Sequence, residues 1–277
     1  MTVAAWSTWR ARADWVGHVA LSCDDEAGSP AGLIENGGIP GQCSLCDRDA
    51  VFGCGESSPS PREGMLCQYC RCNGRQRAAA AVLLDALPHA SAARVYATEQ
   101  ASGFYLALRR RVGRLVGSEY GIAFAQRWQL SKWLWRHGAR CWVRREDVTA
   151  LRMRDASLDA VVSLDVLEHV PDHQAALRQF ARVLKPGGTL VLTVPFYYDN
   201  AASTQIACID ATGAVAFFGE PEFHGDPLRG GVACFHHFGW DLLASMRAAG
   251  FSDAAACRVR APELGLPKDV WVLRARR

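Results

Sequence analysis

Long apolar runs are missing from this chain. No stretch approaches the ~20 uninterrupted apolar residues that a bilayer-crossing helix needs, and the opening MTVAAWSTWRARADW has no basic start followed by an apolar run. Both absences set the expectation of a cytoplasmic protein with no membrane partner. An excess of charge of one sign is missing too, since 31 Lys and Arg stand against 28 Asp and Glu for a net +3. That balance excludes nucleic-acid binding through a bulk basic field, so any partner has to be argued from motifs. There is no internal repeat and no low-complexity tail, which excludes solenoid and repeat-array architectures. Residues 1–40 mix tryptophans with Gly, Pro and Asp without a clear helical or strand period, and no role is assigned to them.

What remains is a chain of 277 residues, 49% apolar, long enough for a small unit followed by a domain of ordinary size. Eleven cysteines would suggest disulfides in an exported protein, but without an export signal and with four of them in close pairs, metal binding is the better reading. Cys43-Ser-Leu-Cys46 and Cys67-Gln-Tyr-Cys70 are two C-x-x-C units separated by 20 residues. That is the spacing at which two knuckles converge on one tetrahedral ion, and four thiolates suit Zn2+. The site would be closed and structural, and in a unit too small for its own core the metal would supply most of the folding free energy. Cys72 and Cys54 are possible substitutes. Cys23, Cys141, Cys208, Cys234 and Cys257 read as small core residues. Arg71, Arg75 and Arg77 beside the pairs read either as a solvated face or as a nucleic-acid contact.

Downstream, strands and helices alternate. ARVYAT, RLVGSEY, LDAVVSL and GTLVLTVPF read as strands, whereas RQRAAAAVLLDAL, FYLALRRRVGR, HQAALRQFARVL and DLLASMRAAG read as helices. The expected fold class is therefore α/β: a Rossmann-like, mostly parallel sheet with helices on both faces, preceded by a small zinc-binding module. The organisation is an N-terminal segment (1–40), a four-cysteine module (41–78) and a third domain (79–277), with an insert at about 197–238 built as a hairpin around Asp210-Ala-Thr-Gly213.

From Asp147 to Phe196, the runs EDVTAL, SLDAVVSLDVLEHVPD and ALRQFARVLKPGGTLVLTVPF resemble, in order and spacing, the class I S-adenosylmethionine-dependent methyltransferases of the methyltransferase-11-like type. With the flanking strands and helices the resemblance covers roughly residues 90–275. It implies S-adenosyl-L-methionine as cofactor, with Asp147 on the adenine amino group and Val148 beside the ring. Glu119 would lie on the ribose hydroxyls next to Tyr120, with Leu164, Asp165 and His169 at the methionine end. The chain departs from the family at the glycine-rich loop, where Glu99-Gln-Ala101-Ser-Gly103 keeps one glycine of three. Two accounts follow: Glu99 pairs with the ammonium of the methionine moiety while Ala101 is small enough to fit, or cofactor binding is weakened or lost.

Methyl transfer to a hydroxyl needs a base. His224, His169 and Tyr197 lead the candidates, with Tyr198, His236 and His237 behind them and Asp226 as an orienting partner for His224. The leading expectation is transfer to O or N of a small-molecule acceptor, natural products included. The alternatives are a protein or peptide methyltransferase and a non-catalytic zinc-containing binding protein that recognises nucleic acid.

Overall fold

The computed structural model describes residues 6–21, 38–54, 60–225 and 231–277. Cys23, Asp226 and residues 55–59 between the cysteine pairs lie outside the described residues. The cysteine region folds into a three-stranded antiparallel sheet of β2 (Ile39–Gln42), β3 (Asp49–Cys54) and β4 (Met65–Cys67), with β4 preceded by the short helix α2 (Pro61–Gly64). Helix α3 (Gly74–Asp85) follows. Its start is fixed by a capping box in which Asn73 Oδ1 accepts from the Gln76 amide at 2.9 Å and Gln76 Oε1 accepts from the Asn73 amide.

The main sheet alternates as expected through β5 (Arg94–Ala97), α4 (Gly103–Leu108), β6 (Arg114–Gly117), α5 (Phe124–Arg136), β7 (Leu158–Leu164), α6 (His173–Val183) and β8 (Leu184–Thr193). It closes with α7 (Asp241–Ala248), β15 (Asp253–Ala261) and β16 (Leu266–Arg276). The sheet has seven strands, with β1 (Ser7–Trp9) at one edge, in the order β1-β15-β16-β8-β7-β5-β6. The ladders β5–β6, β5–β7 and β7–β8 are parallel, whereas β8–β16, β16–β15 and β15–β1 are antiparallel. The architecture is Rossmann-like, with a parallel half and an antiparallel half. Beyond β6 the parallel half ends in a single bridge, Glu119 to Arg145.

Strand alternation sorts the core into two layers. Val95, Ala97, Ala160, Val162 and Val191 face the layer of α3, Phe104 and Leu134, whereas Tyr96, Val161, Leu190 and Leu192 face Leu177, Phe180, Leu243 and Met246 of α6 and α7. Each fully buried Leu or Phe contributes ~1.5–3 kcal/mol, so both layers are needed for a stable sheet. Helix α6 reads from sequence because its capping residue Asp172 accepts from the Ala175 amide and its apolar stripe buries Leu177, Phe180 and Ala181.

Two findings add to the sequence reading. First, the segment without evident period forms β1 and α1 (Arg12–Leu21); Trp9 and Trp15 pack on Trp271 of β16 at 5.6 and 5.1 Å between ring centroids. Aromatic burial on a sheet edge holds it there, a tertiary cause that periodicity does not report. Second, the cysteine unit has no separate core. Leu45, Phe52, Met65 and Cys67 belong to the same buried cluster as Val95, Phe104 and Val272 of the main sheet.

The insert contains β9 (Thr204–Gln205), the expected hairpin of β10 (Ala207–Ile209) and β11 (Val215–Phe217), a second pair of β12 (Phe223–His224) with β13 (Val232–Ala233), and β14 (His236–His237) against β9. Asp210 Oδ1 closes the first hairpin by accepting from the amides of Thr212 and Ala214.

Candidate functional site

The two cysteine knuckles are built alike. Asp47 N donates to Cys43 O and Arg71 N to Cys67 O, each at 2.9 Å, and both Asp47 (φ 60°) and Arg71 (φ 59°) adopt the left-handed conformation that turns the chain back. The repeated turn brings the four sulfurs together, with Cys43 Sγ 3.7 Å from Cys70 Sγ and Cys46 Sγ 3.8 Å from Cys67 Sγ. All four lie within 4.8 Å of one another. Thiolates ~2.3 Å from a tetrahedral ion stand ~3.8 Å apart, so the spacing fits a bound Zn2+. Burial, then the charge of Cys43, pushes the Cys46 thiol up to about 11. Cys72 is not a substitute ligand, because its thiol turns to the carbonyl of Cys70. The Cys54 side chain lies outside the described residues.

The neighbouring arginines form neither a solvated face nor a basic patch. Arg77 is fully buried and donates to the carbonyls of Met65 (2.6 Å), Cys72 (2.9 Å) and, across to the β15–β16 turn, Gly265 (2.7 Å). Arg75 is largely buried between Glu63 (3.0 Å) and Asp165 (3.1 Å). Arg71 alone of the three is exposed.

At the carboxyl ends of the parallel strands, the loop after β5 is held by Glu119, whose Oε1 accepts from the amides of Gln100 (2.9 Å) and Ala101 (2.7 Å). Gln100 is buried and ties this loop to the next segment through Trp142 O and the Arg144 amide. The loop also packs closely on the end of the neighbouring β6. A Cβ on Gly117 would lie 2.6 Å from Glu99 O and 2.9 Å from Gln100 Cβ. Gly103, by contrast, is exposed and opens α4, with Ser102 Oγ accepting from the Tyr105 amide at 3.1 Å. Burial pushes Glu99 up to about 6, opposed by the Ser102 hydroxyl and Arg75.

Asp147, Glu146, Tyr120, Arg127 and Arg152 line an open cleft of about 740 Å³ at the edge next to β6. Asp147 Oδ1 accepts from the amide and hydroxyl of Thr149, which fixes the carboxylate in a tight turn, with Val148 half-buried beside it. Leu164 is buried where β7 ends, and Asp165 follows in the left-handed region (φ 47°). Asp165 accepts from Arg62 at 3.0 Å to each oxygen and from the Thr193 hydroxyl at 2.7 Å. The cysteine region thus reaches this edge through Arg62 and Arg75, a link between distant residues that no local motif announces.

The acceptor-side candidates separate. Glu168, His169 and His224 converge within 4.8 Å, and Glu222 holds His224 at 2.9 Å and His237 at 2.8 Å. Glu222 is thus a carboxylate that orients His224, whereas Asp226, expected in that role, lies outside the described residues. Tyr197 stacks near His237, with centroids 4.7 Å apart, and burial raises its hydroxyl above the usual range. His236 is buried against His173 and Phe238, and Tyr198 packs on Trp271, so neither faces this group. Glu168 is fully buried and neither of its side-chain oxygens has a hydrogen-bond partner; burial pushes its carboxyl well above the usual range. Its chemistry was missed from sequence because His224 lies 56 positions downstream. Of the scattered cysteines, Cys234 and Cys257 are buried as expected, whereas Cys141 and Cys208 are only half-buried.

A Rossmann-like sheet with acidic residues at successive strand ends defines a class of nucleotide-cofactor folds. Within it, residues 86–192 match the profile of the methyltransferase domain family. The chain is 50% identical over 48 residues to a ubiquinone biosynthesis O-methyltransferase of Xanthomonas oryzae, covering 17% of this chain and 19% of that one. It is likewise 50% identical over 46 residues to the 27-O-demethylrifamycin SV methyltransferase of Amycolatopsis mediterranei, 17% of each chain. The chain thus spans about a fifth of the length of the curated relatives it matches. Among solved structures, an S-adenosylmethionine-dependent methyltransferase from Mesorhizobium loti aligns over 72% of this chain and 98% of its own, at 20% identity and a TM-score of 0.47. Among the described residues, no helix is long and apolar enough to cross a membrane.

Proposed function

We propose that this chain is an S-adenosylmethionine-dependent methyltransferase that transfers a methyl group to O or N of a small molecule, and that its four-cysteine cluster holds a structural Zn2+. The observation that carries this reading is the convergence, within the segment matching the methyltransferase family, of Glu99, Glu119, Asp147 and Asp165 on one sheet edge. On this reading Asp147 would take the adenine amino group, and Glu99, on the loop braced by Glu119, the cofactor's ammonium. Arg62 and Arg75, already paired with Asp165, suit the carboxylate of the methionine moiety. A small acceptor is favoured by the two matched relatives, whose names describe O-methylation in ubiquinone biosynthesis and of a rifamycin. Tyr197, His169 and His224 on the insert side would meet it.

Calorimetric titration with S-adenosylmethionine tests the cofactor site. Micromolar binding by the wild type, weakened at least about tenfold, or ~1.4 kcal/mol, in Asp147→Ala and Glu119→Ala, is the expected result. No binding by a folded wild type would leave a methyltransferase-like fold without the activity.

A further inference from the structure

The group at the mouth of the insert gathers two imidazoles around a buried carboxyl. His169 Nδ1 is 2.9 Å from the carbonyl oxygen of Ala233, which only accepts, so that nitrogen carries the proton and Nε2 of the neutral ring carries the lone pair. His224 Nε2 is 2.9 Å from Glu222 Oε1, which by the same reasoning makes Nδ1 the lone-pair nitrogen. Both lone-pair nitrogens face one atom, Glu168 Oε1, each at 3.9 Å. Two imidazole nitrogens and a carboxyl oxygen thus share a common centre. At 3.9 Å no proton can bridge any pair as a hydrogen bond.

We infer that Glu168, His169 and His224 form a second, open metal site for a zinc-class divalent cation, distinct from the cysteine cluster. Ligands ~2.1 Å from a tetrahedral ion stand ~3.4 Å apart, about half an ångström inside the 3.9 Å separations of Glu168 Oε1 from the two imidazoles. Two imidazoles and one carboxylate are a donor set for Zn2+ and its first-row neighbours, and three protein ligands leave a position for an oxygen from water or an acceptor hydroxyl. The outer shell is already in place. Ala233 O and the Glu222 carboxylate hold the far nitrogens of the two histidines, as ligating imidazoles require. An overlapping set, Glu222, His224 and Cys234, is the weaker alternative because both oxygens of Glu222 are occupied by His224 and His237. The cation would also satisfy the two Glu168 oxygens that have no hydrogen-bond partner.

This site stands apart from the cofactor reading, and Co2+ titration of the metal-stripped chain, which regains its fold as the cysteine site fills first, separates the two clusters. The cysteine site announces itself by intense sulfur-to-cobalt charge-transfer bands, the second site by weak visible bands without them. Two equivalents are expected in the wild type. His224→Ala and His169→Ala keep the thiolate equivalent but weaken the other by about 10–100-fold or more, and Glu222→Gln weakens it by about tenfold, while Cys234→Ala does not weaken it. His224 is on the part-exposed insert, so its variant tests the site even if substitution of buried Glu168 prevents folding. A single thiolate equivalent in the wild type overturns the inference. So does a second equivalent unaffected by His169→Ala or lost in Cys234→Ala.

Discussion

The cysteine cluster and the glutamate–histidine cluster solve opposite problems with similar materials. In the first, four like ligands arrive from two local turns of the same shape, and their sulfurs already stand at the spacing of a tetrahedral ion. In the second, ligands from the end of β7 and from the distant insert stand slightly too far apart and leave one side open. A closed site built from short-range turns suits a structural role, and an open one between two elements suits chemistry at a mouth. The cysteine cluster also shares its core with the main sheet, whereas two of the three residues of the second cluster, His169 and His224, are only partly buried.

The largest expected effect follows from that shared core. Structural zinc supplies apparent folding free energies of ~10–16 kcal/mol in small zinc peptides, comparable with the ~5–15 kcal/mol total stability of a typical protein. Cys43→Ser, or a strong chelator, is therefore expected to unfold the main sheet along with the module, read as loss of the cooperative melting transition. His224→Ala, on the insert, should leave that transition in place. An unchanged melt for Cys43→Ser would mean that the module is an independent ornament.

Next in size is Arg77, the buried bolt between the two regions. Replacing it with Met strands the carbonyls of Met65, Cys72 and Gly265, and about 3–5 kcal/mol of lost stability is expected by denaturant titration. Arg77→Lys should recover only part of this, since one ammonium cannot reproduce the planar fork. A second, separate transition for the module, with the sheet's midpoint unmoved, would contradict a common core.

The same contrast explains what the sequence made legible. Two C-x-x-C units and the strand–helix run around Leu184-Lys-Pro-Gly-Gly188 encode their geometry within a few residues, so both the cysteine centre and the parallel half of the sheet were readable. Distant pairings were not. Arg62 meets Asp165 across 103 positions, and nothing local marks Arg75 or Arg77 as buried rather than solvated. Gly117 is a further case, since the closeness of β6 to the loop after β5 that it permits appears only when the two lie together. The edge strand β1 was hidden for a similar reason: its pairing with β15, 249 positions away at Thr8 and Cys257, makes it a strand.

The smallest effect concerns Glu99, which stands between the module and the sheet edge and feels Arg75, Glu119 and Asp165. Burial raises its carboxyl to about 6. Because the folded value exceeds the unfolded one, Glu99 contributes stability that is fully present below the unfolded pKa of ~4.3 and is lost as pH rises through about 6, at most about 2 kcal/mol. Cofactor affinity should move the other way. An ammonium is held only by the ionised form, so S-adenosylmethionine binding should be steady above about pH 6 and weaken by up to about tenfold per unit below it. Glu99→Gln is expected to bind more weakly at neutral pH and to flatten both profiles. If the variant keeps the wild-type slope, the ammonium is held elsewhere, with Asp165, freed from Arg62 and Arg75 by the cofactor's carboxylate, the next carboxylate to substitute.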